Sequence, residues 1–462
     1  MNQSSENQQR LNEFVERPIG RLLWQYSLPS VVGMVVMALY NIVDRVFIGH
    51  VVGPDAIAGL TITFPVMNIT TAIGVLIGGG AAARVSIMLG NNDHDGALKV
   101  MGNALVLTIL NAAIYLTLFV LFMDDMLRAF GASDVTLPYA REFMYYMLPG
   151  LFFINITFSF NNIMRASGFP KKAMYTMLIG AGLNIILDPI FIYGLDMGIK
   201  GAAITTDISM LVSAIFVMSH FSLKESTLRY RRGIYRLRWN VVYGIIAIGA
   251  APAIVNVASC MINIIINNSL LRYGGDNAVA AAGIFSTYAS VLVSIIIGLT
   301  MGLQPIIGYN YGARRIDRLK KAFKLAVIAA TVICVLGWAG GITVPKLIAR
   351  CFTADSNLID VTGNALSIAM VCFWMVGFQI ISTTLFQSLG KAGKAIFLGL
   401  TRQVLFLIPM LYILQYYFGL NGIWMSFPSG DLCATVVTGI MVWSQFKSLN
   451  REIGKNYDPE RL

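Results

Sequence analysis

Apolar residues run along this chain in long continuous stretches, each bounded by Gly, Pro or charge. Twelve such stretches predict helical spans at approximately 22–49, 56–83, 97–122, 138–163, 172–194, 201–222, 241–271, 278–303, 321–343, 361–386, 395–417 and 421–446. A helix that crosses hydrocarbon needs about 20 mostly apolar residues. Lipid offers backbone N–H and C=O groups no partner, so spanning segments are helices or a closed barrel. Runs this long and continuous favour helices. The fold class that follows is an all-α integral membrane protein, and an even number of spans returns both termini to one side.

Composition agrees: 56% of the 462 residues are hydrophobic and 12% charged, with a mean hydropathy of +0.70. No ordinary soluble core absorbs so much apolar surface. The first 20 residues are polar and lack an apolar h-region, which predicts a cytoplasmic tail rather than a cleaved signal. The net charge of +11 would suit nucleic acid, but its distribution points elsewhere. Assigned to alternating sides, 27 Lys and Arg fall with the termini and six (Arg128, Arg141, Lys200, Arg272, Lys346, Arg350) on the other side; Arg45 alone is placed within a span. The positive-inside rule then makes both termini cytoplasmic. The runs Arg229–Arg238 and Arg314–Lys321 become cytoplasmic loops that meet anionic membrane lipids, not nucleic acid. The modest size suits a prokaryotic inner membrane. Five cysteines without CxxC spacing read as small buried apolar residues. His50, His94 and His220 sit at span ends or in a loop, where a solvated interfacial role is expected.

The halves resemble each other at a nearly constant offset. Asp55-Ala-Ile-Ala58 recurs as Asn277-Ala-Val-Ala280, Pro29 as Pro252, Arg165–Ala173 as Gln387–Ala395, and Gly198-Ile-Lys-Gly201 as Gly419-Leu-Asn-Gly422. Duplication of a six-span unit gives two parallel repeats about an axis along the membrane normal, a transporter architecture in which the halves rock and access alternates. The boundaries expected are a tail at 1–21, a first lobe of helices 1–6 at 22–223, a basic linker at 224–240, a second lobe of helices 7–12 at 241–446, and a tail at 447–462.

Charge inside spans marks function, because an ionisable side chain in hydrocarbon is expensive. Asp44, Asp188, Asp207 and Asp431 are the acids placed well inside. Asn184 lies one turn from Asp188 on the same face. Pro189 removes the N–H that would bond the carbonyl of Ile185. At about 1.5 Å per residue, Asp188 lies roughly 22 Å along an outward-running span and Thr206 about 8 Å down the returning one. Asp44, Asn184, Asp188 and Thr206 thus share one depth in the outer half of the membrane. Such a pocket is a proton site, and its oxygens equally suit Na⁺, a hard cation; sequence leaves H⁺ and Na⁺ both open. Asp207 and Asp431 are further cavity or substrate candidates, with Asp431 equally suited to fastening a helix joint. No Walker sequence, HExxH, CxxC or Gly-x-Ser-x-Gly is present to indicate an enzyme.

Tyr40-Asn-Ile-Val-Asp44-Arg-Val-Phe-Ile-Gly49, Arg165-Ala-Ser-Gly-Phe-Pro170, Asn184-Ile-Ile-Leu-Asp188-Pro189 and Gly198-Ile-Lys-Gly-Ala-Ala203 together resemble the multidrug and toxic compound extrusion (MATE) family of cation-coupled antiporters. The resemblance covers essentially the whole chain. It implies twelve helices in two lobes, exporting small, often cationic organic compounds in exchange for H⁺ or Na⁺, with no cofactor. In one branch of the family the first lobe holds the coupling site, and its motif carries over onto Asp44, Asn184, Asp188 and Thr206, with Asn161 a further polar position of that cavity. Another branch places coupling carboxylates in the seventh and tenth helices. Here those helices carry Asn263, Asn267 and Asn268, and Gln379 and Gln387, without an acid in their apolar parts. The 23 methionines suit a pliable drug cavity, with Met34, Met37, Met147, Met164 and Met177 as candidates. A monomer is expected. The runner-up is a flippase for a lipid-linked precursor, which would line its cavity with several cations.

Overall fold

The computed structural model describes residues 13–51 and 54–455, with side chains given outside 41–61, 64 and 452–455. The first six helices are α1 Ile19–Val51, α2 Pro54–Gly90, α3 His94–Ala129, α4 Leu137–Ala166, α5 Pro170–Asp188 with a π-helical continuation Pro189–Gly194, and α6 Gly198–His220. The helical stretch Trp239–Gly312 turns back at Gly275, whose φ of 64° only glycine adopts readily, giving α7 (239–274) and α8 (276–312). Helix α9 is Ile316–Thr343, and α10 comprises Ser356–Ala369 and Phe373–Ser388, bent by 51°. A second turn-back at Gly419, φ 57°, separates α11 (392–418) from α12 (420–455). Among the described residues this gives twelve spans, six before the 221–238 connection and six after it. The tenth, expected as one run at 361–386, is a broken one.

Proline shapes several of these helices. It stands in the first turn of α4 and α5, where no N–H is needed. Apolar side chains surround the helices rather than striping them, and Ile114, Leu118, Leu121, Val332 and Leu336 are exposed on the outside. An apolar exterior of this extent is covered by lipid.

The lobes meet along α1–α8 and α2–α7. A Cβ on Gly80 would stand 1.9 Å from the carbonyl oxygen of Ile245, and one on Gly249 1.7 Å from that of Leu76. Gly298 and Gly302 of α8 approach the backbone of Val31 and Ser27 in the same way. All four lie in the half of the bundle nearer residues 13 and 455, here the tail-side half; small residues let helix backbones touch there. In the far half, Asn256, Asn263 and Asn267 form an exposed polar line on α7, and Asn68 of α2 donates to the Cys260 sulfur at 3.7 Å. The lobes are closed at the tail side and part toward the far side.

A helical turn at 13–16 seals the tail-side end. Phe14 is fully buried, its ring stacked 4.8 Å from Tyr309 of the second lobe and 5.0 Å from Tyr26 of the first. Asn310 Nδ2 and an Arg318 guanidinium N–H both donate to its carbonyl. The basic connection is also ordered: Leu228 is buried, and Asn103 of α3 donates to the carbonyls of Ile234 and Arg236 and accepts from Arg238 N–H. His220, expected at a solvated interface, is buried between Phe169 and Phe221 and bonded to Ser226, because this connection folds over it. Of the cysteines, Cys334 is buried and Cys351 exposed, the latter lying in a connection rather than a span.

Candidate functional site

One face of α5 carries the first lobe's polar residues. Thr176, Gly180, Asn184 and Asp188 recur every four residues, so they stack along one helical line of about 18 Å. Asp188 is fully buried. The Thr205 hydroxyl of α6 donates to its Oδ1 at 2.5 Å. One turn away, Asn184 Nδ2 donates to Thr206 Oγ1 at 3.2 Å, while that hydroxyl donates to Ala202 O. The structure therefore joins Asn184, Asp188 and Thr206 into one cluster and adds Thr205, which sequence reasoning passed over. Threonine is common in apolar spans, and nothing in its placement distinguishes the ligand from its neighbour. From Pro189 onward the ladder shifts to i→i+5, with Leu195 N–H bonded to Ile190 O at 2.9 Å. Asp44 lies on α1, which packs along α5 where Gly33 accommodates the Met177 thioether. The Asp44 side chain itself is outside the described residues, as is that of Arg45.

Toward the tail side, a cavity of about 40 Å³ opens to water-sized volume, room for one or two waters. Met37, Met177, Met210 and Met301 line it with Asn161, Asn162, Thr176, Ser213 and Arg165. Met301 comes from α8, so the cavity lies between the lobes. Met37, Met177 and Asn161 of the expected set meet here. Met34 is half-buried outside it, and Met147 and Met164 are fully buried in apolar cores. Asn161 is fastened at both ends, its amide donating to Ala173 O at 2.7 Å and its oxygen accepting from the buried Arg165. Asn162 accepts from the same guanidinium at 3.2 Å.

Asp207 points elsewhere. It follows Thr206 by about 100° of helix and meets Gly150 of α4, where a Cβ would stand 1.9 Å from its Oδ1. It opens onto a groove of about 470 Å³ with Tyr145, Tyr146, Pro149 and Ile204. Asp431 lies in the second lobe, nearly inaccessible, where Arg402 Nε donates to its Oδ1 at 2.6 Å. Arg402 corrects the expectation that Arg45 is the one cation within the spans. It stands seven residues inside the eleventh predicted span, and an opposite charge inside the twelfth was the available signal.

The fold and these sites define a membrane transporter built from two repeated lobes, with polar and charged groups held at its core. The MatE family model matches residues 29–190 and again 252–413, and the chain belongs to that family. It is accordingly a secondary transporter rather than an enzyme. The two matches start 223 residues apart, in line with the offset of the sequence repeats. Among its relatives are the multidrug export protein MepA of Staphylococcus aureus and that of Staphylococcus haemolyticus, each 27% identical over 427 residues, covering 92% of this chain and 94% of the relative. A multidrug resistance MATE family transporter in an outward-facing conformation superposes with a TM-score of 0.90 at 24% identity, over 95% of this chain and 98% of that one. A MATE in complex with MaL6 gives 0.90 at 25% identity, over 95% and 99%.

Proposed function

We propose that this protein is a cation-coupled multidrug antiporter that exports amphipathic, often cationic organic compounds by alternating access. The observation that carries the reading is the buried Asp188, bridged to α6 through Thr205 and flanked by the Asn184–Thr206 pair. With Asp44, these residues form the coupling site. A charged carboxylate in hydrocarbon is costly, and a bound H⁺ or Na⁺ relieves the cost. Ion and drug then favour different conformations, and that difference drives the switch. Multidrug export by the MepA relatives supports the substrate class. The ion gradient supplies the energy, so the reading needs no cofactor.

The protein is placed in a prokaryotic cytoplasmic membrane with both termini inside. The excess of Lys and Arg on the tail side supports this, as does pairing on the far side, where Arg128, Arg141, Lys200 and Lys346 each meet a carboxylate. The closed tail side then corresponds to an outward-facing state. Each chain contains both lobes and the whole site, which supports a monomer. Arg402, which lines a cavity of the second lobe, is neutralised by Asp431, unlike the bare cationic lining a lipid-precursor flippase would use.

Inverted vesicles given a fluorescent organic cation and either a pH or a Na⁺ gradient test the proposal. One gradient should drive transport by the wild type, and Asp188→Asn should abolish it at equal membrane abundance. Normal transport by that variant would overturn the coupling assignment, and failure of both gradients would overturn antiport.

A further inference from the structure

A second charged cavity lies in the carboxyl-terminal lobe, apart from the Asp188 cluster and built from different chemistry. About 130 Å³ is enclosed by Ser259 and Asn263 of α7, Arg402 and Gln403 of α11, and Phe427 and Asp431 of α12, among others. Residues 401–407 of α11 form a π-helical turn, whose wider spacing directs neighbouring side chains into the same cavity. Gln403 exchanges hydrogen bonds with Ser259 at 2.8 and 3.0 Å, and Arg402 holds Asp431 at 2.6 Å.

The two members of the ion pair are held differently. The Asp431 side chain is 4% exposed and that of Arg402 is 30% exposed. Asp431 is also pinned from behind, since Gln379 Nε2 donates to its backbone carbonyl at 2.8 Å and to Thr435 at 2.7 Å. Arg402 is the member with room to move. The exposed Asn263 connects the cavity to the polar face of α7 between the lobes, and Phe427 offers an aromatic ring beside the carboxylate.

Burying an ion pair is a weak way to gain stability over apolar packing. A fixed acid covered by a movable guanidinium, next to a cavity that opens on the transport cleft, has the form of a site occupied by its own competitor. We propose that Asp431 is an exchangeable cation site: an amidinium or guanidinium group of a substrate enters the cavity, displaces Arg402 from Asp431, and is expelled when Arg402 returns. Planar groups of this kind reproduce the fork by which a guanidinium meets a carboxylate, and Phe427 adds a cation–π contact. Arg402 keeps the affinity low enough for release, as a transporter requires. The proposal rests on the reading of the protein as an exporter of organic cations and gives that reading a substrate group and a place.

Calorimetric titration of the detergent-purified protein with benzamidine, and with neutral benzamide as control, tests it. Equilibrium binding needs no gradient, so the outcome is separate from that of the vesicle experiment. The wild type should bind benzamidine at least tenfold tighter than benzamide, and Asp431→Asn should erase that preference. Arg402→Gln should bind benzamidine about tenfold tighter than the wild type, a gain that a merely structural pair would not give. Asn263→Phe leaves the ion pair intact but narrows the cavity, and should weaken benzamidine at least tenfold; this variant decides the matter if the charge variants fail to fold. Unchanged or weaker binding by folded Arg402→Gln, unchanged binding by Asn263→Phe, or equal binding of benzamidine and benzamide by the wild type would each overturn the proposal.

Discussion

In the amino-terminal lobe Asp188 meets a hydroxyl, whereas in the carboxyl-terminal lobe Asp431 meets a guanidinium. Both acids lie at the junction of repeat-equivalent helices, α5 with α6 and α11 with α12, and both junctions contain a π-helical turn. The turns are not in register. At an offset of 222, Pro189 corresponds to Leu411, so the second turn begins about ten residues nearer the tail side. At the same offset Asp188 corresponds to Met410 of α11 and Asp431 to Ser209 of α6, so each lobe carries its acid on the opposite member of the helix pair. Asp188 is tied to the neighbouring helix through a hydroxyl, whereas Asp431 is tied through the guanidinium of Arg402. The first arrangement suits gradient sensing and the second suits substrate exchange.

The sharpest way to break this comparison is to neutralise each acid in turn. Asp188→Asn should remove all gradient-driven transport yet change stability by less than about 1 kcal/mol, because the amide oxygen still accepts from Thr205. Asp431→Asn should lower transport of amidinium substrates and cost about 3 kcal/mol in a detergent unfolding assay. That is the lower end of the range for breaking a buried pair, reduced by the partial exposure of Arg402. If the two variants rank the other way in stability, the lobes do not differ as described. Gly249→Ala drives a methyl into the Leu76 carbonyl and should cost about 2 kcal/mol of tail-side closure. Spin-label distances between α2 and α7 should then widen at that end. Unchanged distances would mean that the seam does not hold the lobes. The smallest effect separates two adjacent hydroxyls. Thr205→Val removes a bond to a carboxylate, worth about 1.5 kcal/mol, and should weaken coupling-ion binding about tenfold, whereas Thr206→Val should weaken it only severalfold. Equal effects would extend the ion site evenly over both threonines.

Much of this architecture was legible in the chain. Hydrocarbon imposes long apolar runs, so the twelve spans follow from the pattern, and an acid in such a run as costly as Asp188 stands out. The features that escaped detection depend on tertiary fit. Thr205 carries no cost that would advertise it. Arg402 looked like a loop charge because span ends blur over several residues, and only Asp431 on the next helix explains its position. Methionine spacing could not separate Met37 and Met177, at the cavity, from Met147 and Met164, in apolar cores. The bend in α10 falls in Ala369-Met-Val-Cys-Phe373, a segment without Pro or Gly, so neighbouring helices rather than local chemistry set it.

The buried Phe14 gives the protein an order of assembly. Its ring lies against Tyr309, and its carbonyl accepts from Asn310, 296 residues further along the chain. At roughly 5–20 residues per second of synthesis, that separation amounts to about 15–60 s. Throughout that interval the first lobe can already occupy the membrane while the segment around Phe14 has only half of its binding surface. Its docking therefore follows the arrival of α8 and becomes a marker, on the nascent chain, that the two lobes have met.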